Sequence, residues 1–243
     1  MRSILPDYRY SYLIGVIIFG VAWIVCYIVG KTYRPQAIWG TIVSTPFALT
    51  SVLFIPQYWT PPSLFDLDKK IHVGIEDFLW AAAVGGIGAV VGEIVLKERL
   101  SRARSQRREL HYAPFVVAAV VCGILEFWHP GKTIYNMSIA FALGAVVVFF
   151  RRRDLVPLML IGSLNFTVLY LALFLILLAL YPEFIDRYYN IPNLLKIYVF
   201  KVPIEELMFA STGGAIWSIA YEYLQGYRLV PGQTLRLARV HGA

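Results

Sequence analysis

Charge is scarce in this chain. Asp, Glu, Lys and Arg make up 15% of its 243 residues and apolar side chains 58%. An ordinary soluble domain carries about 25% charged and about 45–50% apolar residues, so a soluble globular fold is excluded. Cysteine is scarce as well. Cys26 and Cys122 each lie in an apolar run with no neighbouring His or Cys, which excludes a disulfide framework and a thiolate metal site. The four histidines, His72, His111, His129 and His241, are scattered, none at metal-ligand spacing from another ligand. There is no Ser–His–Asp signature, no P-loop and no long run of intramembrane charge suited to an ion pump. Gly85-Gly86-Ile87-Gly88 fails as a dinucleotide fingerprint, because Val91 stands where Gly or Ala is needed and no strand precedes it. Small residues packing membrane helices explain it better, as they do Ser211-Thr212-Gly213-Gly214-Ala215. No cofactor and no metal are expected.

What the chain does have is long hydrophobic runs of about 20 residues, the length of a bilayer-crossing helix. The expected fold class is an all-α, polytopic membrane helical bundle with about seven transmembrane helices, near residues 11–30, 37–59, 74–96, 113–128, 133–150, 155–181 and 203–224. The fourth is the shortest. The first is too long for a removable leader and lacks a small-residue cleavage site. Were the protein a retinal-type seven-helix receptor, its last span would carry a lysine; it has none, Lys201 lying before its start. The net charge of +7 is a topology signal rather than a nucleic-acid footprint. With seven spans, 14 Lys and Arg fall on one side and 8 on the other, and the richer side is cytoplasmic. The expectation is a multi-pass protein of the cell (plasma) membrane, N-terminus outside and C-terminus inside, with the lipid bilayer and its anionic headgroups as partners and no nucleic acid.

Acidic residues in apolar helices cost about 2.5–3.5 kcal/mol each on insertion scales and mark function. They occur twice in register. Val202-Pro203-Ile204-Glu205-Glu206-Leu207 echoes the earlier Val73-Gly74-Ile75-Glu76-Asp77-Phe78, and Ala81, Gly85, Ile87 and Glu93 match Ala210, Gly214, Ile216 and Glu222 at the same fixed offset. The division expected is a first three-helix repeat over 1–100, a basic loop and connecting span over 101–132, a second three-helix repeat over 133–226 and a cytoplasmic tail over 227–243. Three spans plus a connector make an even number of crossings, so the repeats run parallel. Proline at a helix start and carboxylates in the first turn also suit an ordinary cap. Adjacent residues lie about 100° apart around a helix, so one carboxylate of each pair can face a cavity while the other caps. Glu76 and Glu205 are expected to point into one shared cavity near the same membrane face. Glu93 and Glu222, toward the far ends of the same two spans, read as interfacial salt-bridge partners of Lys97 and Arg228. The segment 97–109 reads as a loop or frayed helix, the tail after Gly226 as poorly ordered, and Tyr188, Tyr189, Tyr198 and Phe200 as headgroup-level anchors. Trp39, Phe47, Phe54, Trp80, Phe209, Trp217 and Tyr221 lie within the spans, where aromatic faces beside a carboxylic acid suit carbocation chemistry.

Two three-helix repeats, each with a Pro-x-Glu-Glu-like start to its third helix, resemble the lycopene cyclase domain family, the small membrane-embedded carotenoid cyclases of two-subunit and fused type. Pro203-Ile204-Glu205-Glu206-Leu207-Met208-Phe209 carries the resemblance best, with Gly74-Ile75-Glu76-Asp77-Phe78-Leu79-Trp80 as its looser partner, over residues 8–96 and 133–224. The chain departs from the pattern at Gly74 and Asp77, and spans 37–59 and 155–181 carry no acidic residue. The resemblance implies acid-catalysed, isomerising cyclisation of an acyclic isoprenoid end group, with a hydrophobic carotenoid or other isoprenoid as substrate. Glu205 or Glu206 would be the acid, and Glu76 and Asp77 a second acid or the base. A non-catalytic carotenoid-binding protein of the same fold is the alternative. Homodimerisation stays open.

Overall fold

In the computed structural model the described residues are 7–96, 99–102 and 112–230, with backbone alone at 99–102 and 228–230. They are overwhelmingly helical. In chain order the helices are α1 (Ser11–Val29), α2 (Arg34–Ser44), α3 (Ser51–Phe54), α4 (Leu67–Ile71), α5 (Ile75–Gly88), α6 (Val91–Leu96), α7 (Ala113–Trp128), α8 (Thr133–Arg151), α9 (Val156–Leu180), α10 (Phe184–Tyr188), α11 (Ile204–Trp217) and α12 (Ala220–Gln225). Five helical segments, 8–29, 31–54, 75–96, 133–151 and 153–180, are long and apolar enough to cross a membrane. They fit a membrane protein, since a helix satisfies its own backbone polar groups where water is absent. Of the seven expected spans, the fourth is the apolar but short α7. The last is broken into α11 and α12.

Local chemistry sets the helix limits. Pro35, Pro114 and Pro157 occupy the first turns of α2, α7 and α9, where a missing N–H costs nothing. Inside the second span Pro46 removes a donor, and the helix tightens to a 3₁₀ turn over Thr45–Thr50 before α3. Two later helical stretches are interrupted in the same way. A longer first piece, α5 or α11, gives way to a short second one, α6 or α12, and α5 and α11 start and stop at positions separated by one constant offset in sequence.

In the first half α5 packs on α1 and α2; in the second, α11 packs on α8 and α9. Helix α9 also meets α1 and α6, and α5 touches α11. The core thus lies between α1, α5, α9 and α11, with Phe19, Ile87, Phe166, Tyr170 and Ala210 among its buried members. Close approach of α2 to α5 depends on Gly85: a Cβ there would sit 2.0 Å from Ser44 Oγ, which donates to the Ala81 carbonyl at 2.7 Å. Across the halves, Trp217 Nε1 donates to the Gly85 carbonyl at 2.6 Å. Ile17, Val21, Ile24 and Ile28 of α1 and Leu160, Leu164 and Val168 of α9 are exposed, an apolar outside suited to lipid.

At the end where α5 and α11 begin, the loops lace together. Asn190 N donates to the Tyr58 carbonyl and Thr60 N to the Tyr188 carbonyl, both at 2.8 Å. At the opposite end a strand β1 (Arg99–Arg102) pairs antiparallel with the last strand, Tyr227–Val230, Arg99 opposite Val230. Part of the expected loop and tail is therefore a two-stranded ribbon. Alternating backbone donors meet acceptors there, which a polar composition alone did not signal. Lys97, the rest of the basic loop and the tail from 231 lie outside the described residues.

Candidate active site

A cavity of about 190 Å³ opens between the two halves, lined by residues from α1, α2, α5, α8, α9, α11 and the loops around Tyr58 and Tyr189. A cavity of about 150 Å³ is enough to hold benzene, so this one is large enough for a six-membered ring. Its wall is almost wholly apolar and aromatic, and the two carboxyl groups in it are Asp77 and Glu206.

These two are corresponding residues at the starts of α5 and α11. Asp77 is 3% exposed and Glu206 5%. Asp77 Oδ1 accepts from Tyr12 Oη at 2.7 Å, and its Oδ2 accepts from Gly74 N at 2.8 Å, closing the helix cap. Glu206 is gripped by three phenols. Tyr58 and Tyr189 donate to its Oε1 at 2.7 and 2.8 Å, and Tyr170 donates to its Oε2 at 2.5 Å. The Tyr12 ring packs edge-on against Trp59 with centroids 4.9 Å apart, and Trp59 lies 5.7 Å from Tyr189. A rim of rings therefore joins the two carboxyl groups. Burial and then the Glu206 carboxyl push the Tyr189 phenol well above its ordinary range, so it stays a donor.

The first carboxylates of the pairs turn away, contrary to the expectation that Glu76 and Glu205 share the cavity. Each is 1% exposed. Glu76 Oε1 accepts from Leu64 N at 2.7 Å. Glu205 Oε1 accepts from Leu195 N and Tyr135 Oη, both at 2.6 Å. The step of about 100° between neighbours put one carboxyl on the cavity and the other on a loop, and the loop took the first of each pair. Glu93 and Glu222 are buried rather than interfacial, and their carboxyl groups meet each other near the far end of the bundle. Lys97 and the Arg228 side chain lie outside the described residues.

Of the aromatic side chains singled out, Phe47, Phe54, Trp80, Phe209 and Trp217 line the cavity, while Trp39 and Tyr221 pack behind Trp217 and Trp39 respectively. The sequence reading missed Tyr12, Tyr58 and Tyr170 and placed Tyr189 at the headgroup level, where the structure buries it. Tyr170 carried a usable signal: it is the sole tyrosine in the apolar run of α9.

Residues 132–224 match the family model described as lycopene cyclase. Over that stretch, less than half of the chain, the protein is similar to the lycopene cyclase family. The match takes in α8 to α11, most of α12, and the pair Glu205 and Glu206. No curated protein and no solved structure matches the chain. The lycopene cyclase match stops short of α1–α7, where Gly74 and Asp77 replace the Pro and Glu of the second motif.

Proposed function

We propose that the protein is an integral membrane carotenoid cyclase whose one cavity is built jointly by two parallel three-helix repeats. The observation that carries this reading is the placement of Asp77 and Glu206, equivalent positions of the two repeats, in the wall of a single ring-sized cavity. Matching limits of α5 and α11 support the repeat. Seven crossings, α7 being the connector, give the repeats the same direction and put both carboxylate pairs at the outer face, with the C-terminus cytoplasmic. The division 1–100, 101–132, 133–226 and 227–243 follows. One chain completes the cavity, so a second copy is not needed for the chemistry.

In the proposed reaction the isoprenoid end enters the cavity, where water is excluded. Asp77, as a carboxylic acid, donates its proton to the terminal double bond, leaving a tertiary cation. The electron pair of a nearby alkene attacks that cation, forms the ring bond and moves the positive charge into the ring. Glu206, as a carboxylate held by three phenols, removes a ring proton and leaves the ring alkene. One C–H forms and one breaks, so the product is an isomer and no redox partner is needed. The faces of Trp80, Phe54 and Phe209 stabilise the passing cation, each such contact contributing about 2 kcal/mol when desolvated. Glu76 and Glu205 act as positioning residues that hold the loops before α5 and α11.

Co-expression with a pathway that makes an acyclic carotenoid, followed by pigment analysis, tests the proposal. The wild type should yield cyclic product, and Asp77→Asn and Glu206→Gln should yield none while remaining inserted. A wild type that binds acyclic carotenoid but never closes a ring would leave a non-catalytic binding protein as the reading.

A further inference from the structure

Gly74 stands where the second motif has Pro203, and the structure gives a reason. A Cβ at position 74 would lie 2.6 Å from Asp68 Oδ1 and 3.0 Å from Glu76 Oε2. The missing side chain leaves room for a third carboxyl group beside the motif, one with no counterpart in the second repeat, where position 197 is Ile. Asp68 belongs to α4, in the loop between the second and third spans. It is 0% exposed. Among the described residues neither of its carboxyl oxygens has a hydrogen-bond partner, nor does Glu76 Oε2 beside it. The adjoining Lys69 and Lys70 stand in solvent, their ammonium groups engaged by Asp66 and the Phe65 carbonyl. The groups that face Asp68 from the packed elements are Glu76 and Asp77 of α5 and Tyr12 of α1; His72, at the end of its own turn, is exposed. Among the described residues no cation touches these carboxyl groups, so burial and the like charge of its neighbours favour the protonated form of Asp68.

We propose that Asp68 is the residue through which Asp77 exchanges its proton with water at the loop end of the bundle. The proposal rests on the cyclase reading and deepens it. After each ring closure Asp77 has lost a proton and Glu206 has gained one, so the site must be reset before the next turnover. Asp68 supplies Asp77 from the aqueous side, and Glu206 returns its proton to water before the next turnover. Burial, then Asp77 and Glu76, raise the Asp68 carboxyl to about 7, which lets it both hold and release a proton at neutral pH. Asp68 never meets the substrate; it is a positioning and relay residue.

The test pairs Asp68→Asn with Asp68→Glu and has two readouts. The first is infrared titration of the reconstituted protein without substrate, following the carboxylic-acid C=O band. The wild type should lose a band with a midpoint near pH 7; Asp68→Asn should lack it, and Asp68→Glu should move it. The second is ring formation in heavy water. The wild type should place about one deuterium in each new ring and slow as pH rises through neutrality. Asp68→Asn should lose that pH dependence and at least half of the rate or of the deuterium, and Asp68→Glu should restore both. An infrared band indifferent to both substitutions overturns the proposal, as does an Asp68→Asn protein with wild-type pH profile and deuterium content. If Asp68→Asn fails to insert, an unmoved band in Asp68→Glu overturns it equally. A wild type that makes no ring but shows the Asp68 band sinks the cyclase reading and leaves the proton-exchange site standing.

Discussion

Tyr170 illustrates how much of the site is written in single hydroxyl groups. Its phenol supplies the bond to Glu206 Oε2 at 2.5 Å, and Tyr170→Phe keeps the ring while deleting that donor. A buried hydrogen bond to a charged group contributes about 1.5–3 kcal/mol, so the variant should cyclise at least about tenfold more slowly, at about 1.4 kcal/mol per factor of ten. Steady-state rates on detergent-solubilised protein check this. Asp68 gives a second expectation. Its folded-state carboxyl lies near 7, against about 3.9 in an unfolded chain. Between those values the folded protein holds a proton that the unfolded chain has released. Stability from this group is therefore present in acid, falls as pH rises through the window, and levels off above about 7. Thermal unfolding followed from acid to just above neutrality should show this downward slope in the wild type and lose that component in Asp68→Asn. The carboxylate pairs were legible in the sequence because acidic side chains are rare in apolar helices. The phenols were not, since tyrosine is also the ordinary residue of a membrane interface and 16 of them dilute the signal. Asp68 was hidden by its neighbours: Asp66-Leu67-Asp68-Lys69-Lys70 reads as a solvated turn.

At the scale of helices, the starts of α5 and α11 were readable from Gly74 and Pro203 followed by carboxylates, and the structure begins α5 at Ile75 and α11 at Ile204. The breaks at 89–90 and 218–219 were not, because Ala89-Val90 and Ser218-Ile219 are unremarkable in composition and the interruption comes from packing. The strand pairing of 99–102 with 227–230 was invisible for a similar reason: it joins segments far apart in the chain, and neither alternates apolar with polar residues. Two glycines make the packing testable. Gly85→Leu would drive a side chain into Ser44, with even its Cβ at 2.0 Å. Overpacking costs about 1–3 kcal/mol and more where backbone must move, so a clearly lowered melting temperature is expected by calorimetry or fluorescence. Gly74→Pro, which restores the second motif's residue, should do harm rather than good. It puts carbon against Asp68 Oδ1 and deletes the N–H that donates to Asp77 Oδ2. Ring formation should fall by more than about tenfold, which is about 1.4 kcal/mol of lost positioning. Gly74→Ala keeps the N–H and separates the steric part.

Over the whole molecule, membrane character followed directly from hydrophobic runs, and the constant offset that pairs Glu76 with Glu205 and Glu93 with Glu222 is what motivates the proposed repeat. What sequence could not set was which face of each third helix meets the other half, because α5 and α11 carry small and apolar residues all round. A reporter fused after Ala243 should be active only in the cytoplasm, given 14 basic residues on that side against 8 on the other; activity on the outer side would remove one crossing from the topology. The central claim is that both halves build one cavity and that the second carboxylate of each pair works in it. The most direct measurement compares Glu206→Gln with Glu205→Gln, purified in equal amounts and supplied with an acyclic carotenoid, counting rings formed at constant mass. Glu206→Gln should lose at least about 100-fold of the rate, in line with removal of a general base, while Glu205→Gln stays within a few-fold of wild type. The opposite order, Glu205→Gln inactive and Glu206→Gln near wild type, would contradict the account.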